Sequence, residues 1–159
     1  MRRSVVALVI GVVLAGACQG GIDTGDAEKK IKGSLQTLYP KATVGDLDCP
    51  SPDGDTLTCD TTIQGTPVKA TVVFDSSGNY DTVTLDKAVI DTDTARTTLA
   101  GQIQEQTTTT GIDLDCGGQP YLIADPGAVI DCSVSGTDAG THIKITVKGV
   151  DGSVTWDLV

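Results

Sequence analysis

Aromatic side chains are scarce in this sequence of 159 residues. Phenylalanine, tyrosine and tryptophan together make up 3% of the chain, and it contains one histidine and one methionine. A core without large rings has to be built from valine, isoleucine, leucine and threonine methyl groups, with help from cysteine. The same shortage leaves few of the tyrosines and tryptophans that dominate tight protein interfaces.

Motifs of the common catalytic sites are also missing. The sequence has no GxSxG, HExxH or Walker-type loop. A site that pairs a nucleophile with a base would have to use His142, which alternation places beside Lys144 and Lys148 on the solvated face of a strand. We therefore predict no catalytic residues, and we expect that the protein is not an enzyme.

Basic residues are few: 11 lysines and arginines stand against 21 acidic residues, for a formal net charge of −10. A chain of this charge is repelled by nucleic acid and by anionic lipid headgroups. We expect no nucleic-acid partner. The excess of carboxylates also favours solubility.

Long apolar runs are absent except at the beginning of the chain. The run from Val5 to Leu14 follows Arg2 and Arg3 and contains no charge. It is shorter than the about 20 residues that a membrane-spanning helix needs. An apolar run of this length behind two arginines is typical of a cleavable export signal.

The segment after this run resembles a bacterial lipobox. It reads LAGAC and ends at Cys18, with Ala15 where the usual motif has leucine. The resemblance implies cleavage after Ala17 and a diacylglyceryl group on the Cys18 sulfur, while the alternative is an ordinary secretory signal cut near Ala17. The chain has five cysteines, and lipidation of Cys18 leaves an even number for disulfides. We expect a protein that is lipid-anchored at the extracytoplasmic face of the cell membrane.

A four-residue sequence, DLDC, occurs twice, at 46–49 and again at 113–116. The likeness continues downstream, where TPVKATVVF at 66–74 resembles THIKITVKG at 141–149. These similarities indicate an internal duplication. The predicted domains are a signal peptide at 1–17, the lipidated cysteine and a tether at 18–25, a first α+β repeat at 26–87 and a second at 88–159.

Each repeat is predicted to be an α+β unit in which one helix packs on a four-stranded antiparallel meander. Period-two alternation marks the strands, and turn residues separate them. Their predicted buried residues are Leu47, Cys49, Leu57, Cys59, Thr61, Ile63, Val68, Ala70, Val72, Phe74, Val83 and Leu85, then Leu114, Cys116, Ile130, Cys132, Val134, Ile143, Ile145, Val147, Val154, Trp156 and Leu158.

Each predicted sheet is preceded by an amphipathic helix. Asp26 is the expected cap of the first helix, whose apolar face carries Ile31, Leu35 and Leu38 and which Pro40 terminates. Thr92 or Asp93 is the expected cap of the second helix, and Leu99 and Ile103 form its apolar face.

Duplication also predicts the disulfides. A pairing inherited from one ancestral unit lies within each copy, so we expect Cys49 to pair with Cys59 and Cys116 with Cys132. Zinc held by the four cysteines is the alternative, but the spacing lacks a CxxC and an exported protein lies in an oxidising environment.

Calcium is a second metal that the sequence allows us to consider. Asp46, Asp48, Asp53 and Asp55 lie near one loop, but they do not form the DxDxDG signature of a calcium loop. We therefore predict no metal and no cofactor.

The lipobox, the helix, DLDCP, the second cysteine and GTPVKATVVFDSSGNYDTVTL together resemble the domain-of-unknown-function family 4333 of actinobacterial proteins. The resemblance covers about residues 26–85 and again 88–158, with Gly117 in place of the proline that follows Cys49 in the first copy. The family implies a membrane-tethered envelope lipoprotein and no established activity.

Three functions remain open on the sequence. The first is a non-enzymatic envelope lipoprotein whose two modules bind a protein, a glycan or a lipid. The second is a protein inhibitor of an extracytoplasmic enzyme, because tandem units with one disulfide each and the ending TWDLV resemble secreted β-lactamase-inhibitory proteins. The third is an enzyme that uses carboxylates alone.

Overall fold

The computed structural model describes residues 23–107, 110–136 and 142–159. Cys18, the predicted signal peptide and most of the predicted tether lie outside these ranges. The described chain has an α+β fold with two helices and three antiparallel sheets, and this confirms the predicted fold class. No helix in the described ranges is long and apolar enough to cross a membrane.

The elements follow each other in the order α1 (Thr24–Leu38), β1 (Thr56–Ile63), β2 (Thr66–Val73), β3 (Thr84–Leu85), β4 (Ala88–Asp91), α2 (Thr92–Thr107), β5 (Asp113–Asp115), β6 (Tyr121–Ala124), β7 (Val129–Ser135), β8 (His142–Val147) and β9 (Val154–Leu158). The strand orders are β1-β2-β3 in the first sheet, β4-β6 in a two-stranded ribbon, and β5-β7-β8-β9 in the last sheet. We call α1 with the first sheet the first unit, and α2 with the last sheet the second unit.

The hairpin of β1 and β2 follows the predicted alternation closely. Leu57, Cys59 and Ile63 are fully buried on one face of β1, and Ile63 pairs with Thr66 at the end of the hairpin. The two residues between them have positive φ angles, 51° at Gln64 and 79° at Gly65. Two such residues give a turn whose twist matches that of the strands.

Helix α1 begins earlier than the sequence predicts. Its N-cap is Asp23, whose carboxylate accepts a hydrogen bond from the backbone N–H of Asp26, so Asp26 lies in the first turn and is not the cap. Residues 24 and 25 therefore belong to the helix and not to the tether predicted at 18–25. Ala27, Ile31 and Leu35 are buried, but Leu38 is 57% exposed, because the helix ends there beside an open cleft.

The predicted four-stranded meander is wrong for the first unit, whose sheet has three strands. The segment that contains Leu47 and Cys49 makes only two isolated bridges to β1, Val44 with Ile63 and Asp48 with Asp60. From Val44 to Asp48 the segment advances four residues, while its partner strand advances three, from Asp60 to Ile63. The one extra residue forms a bulge that interrupts the ladder of hydrogen bonds.

The last sheet has the four predicted strands, but they are not consecutive in the chain. Strand β6 lies between β5 and β7 in sequence and pairs with β4, so the second unit is not a simple meander either. Neither β4 nor β6 is predicted from the sequence pattern.

The two larger sheets nevertheless share a register. Cys59 pairs with Ala70, which in turn pairs with Leu85. Cys132 pairs with Ile143, which pairs with Leu158. Each residue of the second row lies 73 positions after its counterpart (132 − 59, 143 − 70 and 158 − 85). The sequence similarity of 66–74 to 141–149 aligns β2 with β8 at an interval of 75, two residues away from this observed register.

The β4–β6 ribbon connects the two units. Val89 of β4 and Ile123 of β6 pack against the hydrophobic core of the first unit. The ring of Tyr121 in β6 lies edge-on to the ring of Tyr39, with centroids 5.6 Å apart. Gln119, just before β6, accepts a 2.8 Å hydrogen bond from Gln64 of the first unit. The ribbon is thus continuous in the chain with both units and also packs against the core of the first.

Helix α2 follows β4 without a loop. The carboxylate of Asp91 accepts a 2.7 Å hydrogen bond from the backbone N–H of Thr94. Asp91 therefore caps the helix in place of the predicted Thr92 or Asp93. Leu99 and Ile103 are buried as predicted and pack in the core of the second unit.

The exposed side of that core is formed by β9. Val154 and Trp156 are partly buried against the core, but Leu158, which the alternation predicts to be buried, is 47% exposed. Strand β9 is the last strand of its sheet, so its apolar residues have a neighbouring strand on one side only.

Candidate binding clefts beside the two helices

Each unit contains one disulfide, in the pairing expected from the duplication. Cys49 is bonded to Cys59, and Cys116 is bonded to Cys132. Cys59 and Cys132 are fully buried in the two cores. Closing loops of these lengths stabilises each unit by about 3 kcal/mol in the chain-entropy model, so both bridges have a structural role.

A first cleft of about 880 Å³ lies between α1 and the segment 78–83 that leads into β3. The hydroxyl groups of Ser34 and Tyr80 are 3.2 Å apart and join the two walls, and the Tyr80 ring packs edge-on against Phe74 at 5.8 Å. The remaining walls are mostly hydroxyl, amide and methyl groups, with Lys30 and Asp81 as the charged residues. Such a surface can bind a ligand by hydrogen bonds and ring contact.

A second cleft of about 750 Å³ lies between α2 and β9, with β4 at one end. Here the indole N–H of Trp156 donates a 2.7 Å hydrogen bond to the Gln102 side chain. The helix presents Thr94, Thr98 and Gln102 to the cleft, residues spaced four apart and so on one face of the helix.

The two clefts are built in the same way. In each unit a polar side chain on the helix, Ser34 or Gln102, is hydrogen-bonded to an aromatic residue in or near the last strand, Tyr80 or Trp156. These two rings are among only five aromatic residues in the chain. Both clefts open to solvent beside a helix whose neighbouring face packs in a core.

The charges around the second cleft are negative. Asp91, Asp151 and Asp157 line it, and among the residues that the structure describes no lysine, arginine or histidine does. The hydrogen bond from the backbone N–H of Thr94 lowers the pKa of Asp91 below its usual range. The Ser153 hydroxyl and N–H do the same for the pKa of Asp151. Both carboxyl groups are therefore ionised at neutral pH.

Other residues considered in the sequence lie elsewhere. His142 is exposed, and its Nδ1 is 2.8 Å from a carboxylate oxygen of Asp131 on the outer face of the last sheet. Asp46 accepts a 2.8 Å salt bridge from Lys32, which lowers the pKa of Asp46. Within the described ranges, no three His, Cys, Asp or Glu residues are grouped to hold a metal ion.

Sequence reasoning did not find either cleft. The alternation predicted which side chains of β9 face inward, but the groove depends on the distance between the strand and α2. The sequence does contain one signal: among its few aromatic residues, a tyrosine and the single tryptophan both lie near the last predicted strand of a unit.

The described chain thus belongs to the class of small, disulfide-bonded α+β proteins with open surface clefts. Residues 7–78 match the family model of the Domain of unknown function (DUF4333), as the sequence resemblance predicts for the first half of the chain. The matched segment includes Cys18, α1, β1 and β2. No curated protein and no solved structure matches the chain.

Proposed function

We propose that this protein is a non-enzymatic lipoprotein of the cell envelope, and that its two clefts are binding sites for an envelope partner. The observation that carries the binding role is the common construction of the clefts, each with a hydrogen bond between the helix and an aromatic ring. A second proposal is that the two units are tandem copies of one ancestral unit. The shared register of Cys59 and Cys132 with their neighbouring strands supports it.

The membrane attachment rests on the sequence. The lipobox-like segment ends at Cys18, and the remaining cysteines, 49, 59, 116 and 132, are all in disulfides. The family model begins at residue 7, within the apolar run, and includes Cys18. The proposed anchor lies a few residues before α1, which begins at Thr24, so the clefts would lie close to the membrane surface.

The chemistry of the cleft walls supports binding without catalysis. Both clefts are lined largely by threonine, serine, glycine and aliphatic groups. Hydroxyl and methyl groups recognise a ligand by hydrogen bonds and packing. The second cleft also contains aspartates, but the pKa values of Asp91 and Asp151 are both lowered, whereas acid–base chemistry needs two groups whose pKa values are shifted apart.

Membrane attachment is tested by fractionating cells that express the wild type or Cys18→Ser. We expect the wild type in the membrane fraction and Cys18→Ser outside it. Equal membrane retention of both forms would contradict the lipid anchor at Cys18.

The binding role is tested by chemical cross-linking of the envelope with variants that block one cleft. Thr37→Arg fills the first cleft and Thr98→Arg fills the second, while Gln36→Arg and Thr97→Arg place the same side chain on exposed positions of the same helices outside the clefts. We expect at least one cross-linked product to disappear with a cleft variant and to persist with its neighbour. An identical pattern for all four variants would contradict binding in the clefts.

A further inference from the structure

The second cleft runs along the edge of a strand. Its lining includes all five residues of β9, 154–158, although side chains of successive residues in a strand point to opposite faces. A cleft that is lined by both sets of side chains follows the backbone edge itself. It is about 17 Å long at the usual rise of a strand.

The backbone groups along this edge can be assigned from the pairing with β8. Val159 and His142 exchange two backbone hydrogen bonds. Because hydrogen-bonded and non-hydrogen-bonded positions alternate in an antiparallel pair, the N–H and C=O groups of Val154, Trp156 and Leu158 point away from β8. Strand β9 is the last strand of its sheet, so these groups face the cleft.

An extended peptide is the ligand that fits such an edge. It can add to β9 as a further strand, so that its backbone satisfies the outward N–H and C=O groups. On the other side of the cleft, the threonine methyl groups of α2, with Ala95 and Leu99, offer an apolar surface to alternate side chains of the peptide.

The acidic residues around the cleft favour extended peptides that carry positive charge. Asp91, Asp151 and Asp157 border the cleft, and no cationic side chain from the described part of the chain lines it. Lys41 approaches Asp91 at 3.6 Å from outside. A second copy of this chain carries a net charge of −10 and is repelled at close range. A peptide with lysine or arginine at alternate positions is attracted.

We propose that the cleft between β9 and α2 binds an extended cationic peptide segment, which joins the sheet as a strand beside β9. This inference deepens the proposed function and rests on it: it names the class of partner for one of the two clefts. It makes no statement about the partner of the first cleft.

The test uses the full chain and the peptide acetyl-Lys-Val-Lys-Val-Lys-Val-amide. Trp156 is the single tryptophan of the chain and lines the cleft, so its fluorescence reports occupancy directly. We expect a saturable change in this fluorescence, matched by calorimetric binding, and a loss of affinity when salt is raised. The peptide with glutamate in place of lysine should bind at least about tenfold more weakly.

Strand addition is separated from simple charge attraction by two changes. Leu158→Pro removes one outward N–H of β9, and Leu158→Ala keeps it and serves as the matched control. We expect the proline variant to bind about fivefold more weakly than the alanine variant, as for the loss of one hydrogen bond. In case Leu158→Pro does not fold, the peptide N-methylated at its valines gives the same comparison with wild-type protein, and we expect it not to bind.

Several results would overturn the proposal: no saturable signal with the lysine peptide, equal affinity for the glutamate peptide, or equal binding of the N-methylated peptide. A concentration-dependent dimer in sedimentation that Leu158→Pro abolishes would also overturn it, because it would assign the edge to a second copy. Failure here leaves the fractionation and cross-linking tests of the proposed function untouched, since neither uses the peptide.

Discussion

The two units differ most in the loop that their disulfide closes. Cys49 and Cys59 are 10 residues apart, whereas Cys116 and Cys132 are 16 apart. The longer loop contains β6 (Tyr121–Ala124), which pairs with β4 and contacts the first unit. A few additional residues in the second unit thus supply the strand that packs against the first unit. Apart from this loop, both units keep a buried cystine, a helix and a cleft.

The hydrophobic cores of the two units also differ in size. Of the residues that the structure describes, twelve buried ones form the first core and eight form the second. The first core receives Val89 and Ile123 from the ribbon as additional packing. The second core is covered by Trp156 and Val154 on an edge strand, and the groove that we propose as a peptide site lies beside that strand.

Removing the disulfides should have the largest effect on stability. Replacing Cys116 and Cys132 by alanine is expected to lower the free energy of unfolding by about 3 kcal/mol, and the same change at Cys49 and Cys59 should cost nearly as much. Thermal unfolding measures both. Only the variant that lacks Cys116 and Cys132 should also loosen the contact between the units, because the loop that this disulfide closes contains β6. Equal effects of both variants on the environment of Tyr121 would contradict this difference between the units.

A matched pair of core positions tests the difference in packing. Leu57 is fully buried in β1, whereas Ile130, 73 positions later, is only partly buried in β7. Leu57→Ala should cost about 2.5 kcal/mol in chemical denaturation, and Ile130→Ala about 1 kcal/mol, because a partly exposed site leaves a smaller cavity. Equal losses of unfolding free energy at the two positions would contradict the difference in packing between the two cores.

The ring contact between the units should contribute less to stability than the disulfides or the side chain of Leu57. Tyr39 and Tyr121 form an edge-on pair, and burial raises the pKa of Tyr39, with a smaller contribution from Tyr121. A double-mutant cycle with Tyr39→Leu and Tyr121→Leu should give a coupling energy of about 1 kcal/mol. The edge-on pair of Phe74 and Tyr80 lies inside the first unit, and the same cycle on this pair serves as the control for a ring contact that does not join the units. A coupling near zero between Tyr39 and Tyr121 would show that the ribbon does not hold the units together through these rings.

The smallest expected effect is at the helix caps, and it depends on pH. Asp91→Ala should destabilise α2 by about 1 kcal/mol at neutral pH, and Asp91→Asn, which retains the cap, should cost less. Because the folded pKa of Asp91 lies below its usual value, its contribution is present above about pH 4 and is lost as the pH falls through the folded pKa. Unfolding curves of the wild type and the alanine variant should therefore converge in acid. A constant difference would contradict the role of Asp91 as the ionised cap.

Much of the larger sheets could be predicted from the sequence because their strands have one buried face. The alternation at Leu57, Cys59 and Ile63 and at Ile143, Ile145 and Val147 matches the observed burial. Strands β4 and β6 were not predicted because AVID and YLIA are four-residue runs without alternation. Their pairing joins Ala88 to Ala124, a distant contact for which a local pattern gives no signal.

The candidate sites were less predictable than the fold. A disulfide pairing follows from repetition in the sequence, but a cleft depends on how far a helix lies from a strand edge. The caps show the same limit on a smaller scale. Asp23 and Asp91 each lie a few residues from the predicted cap, and several acidic or threonine residues nearby have equal capping ability.

The central claim is that the chain is anchored at Cys18 and has one disulfide within each unit. Peptide mapping of the protein purified from membranes, under non-reducing conditions, tests it most directly. We predict a diacylglyceryl-modified Cys18 at the N-terminus, with Cys49 linked to Cys59 and Cys116 linked to Cys132. A bridge that joins one unit to the other, or an unmodified Cys18, would contradict it.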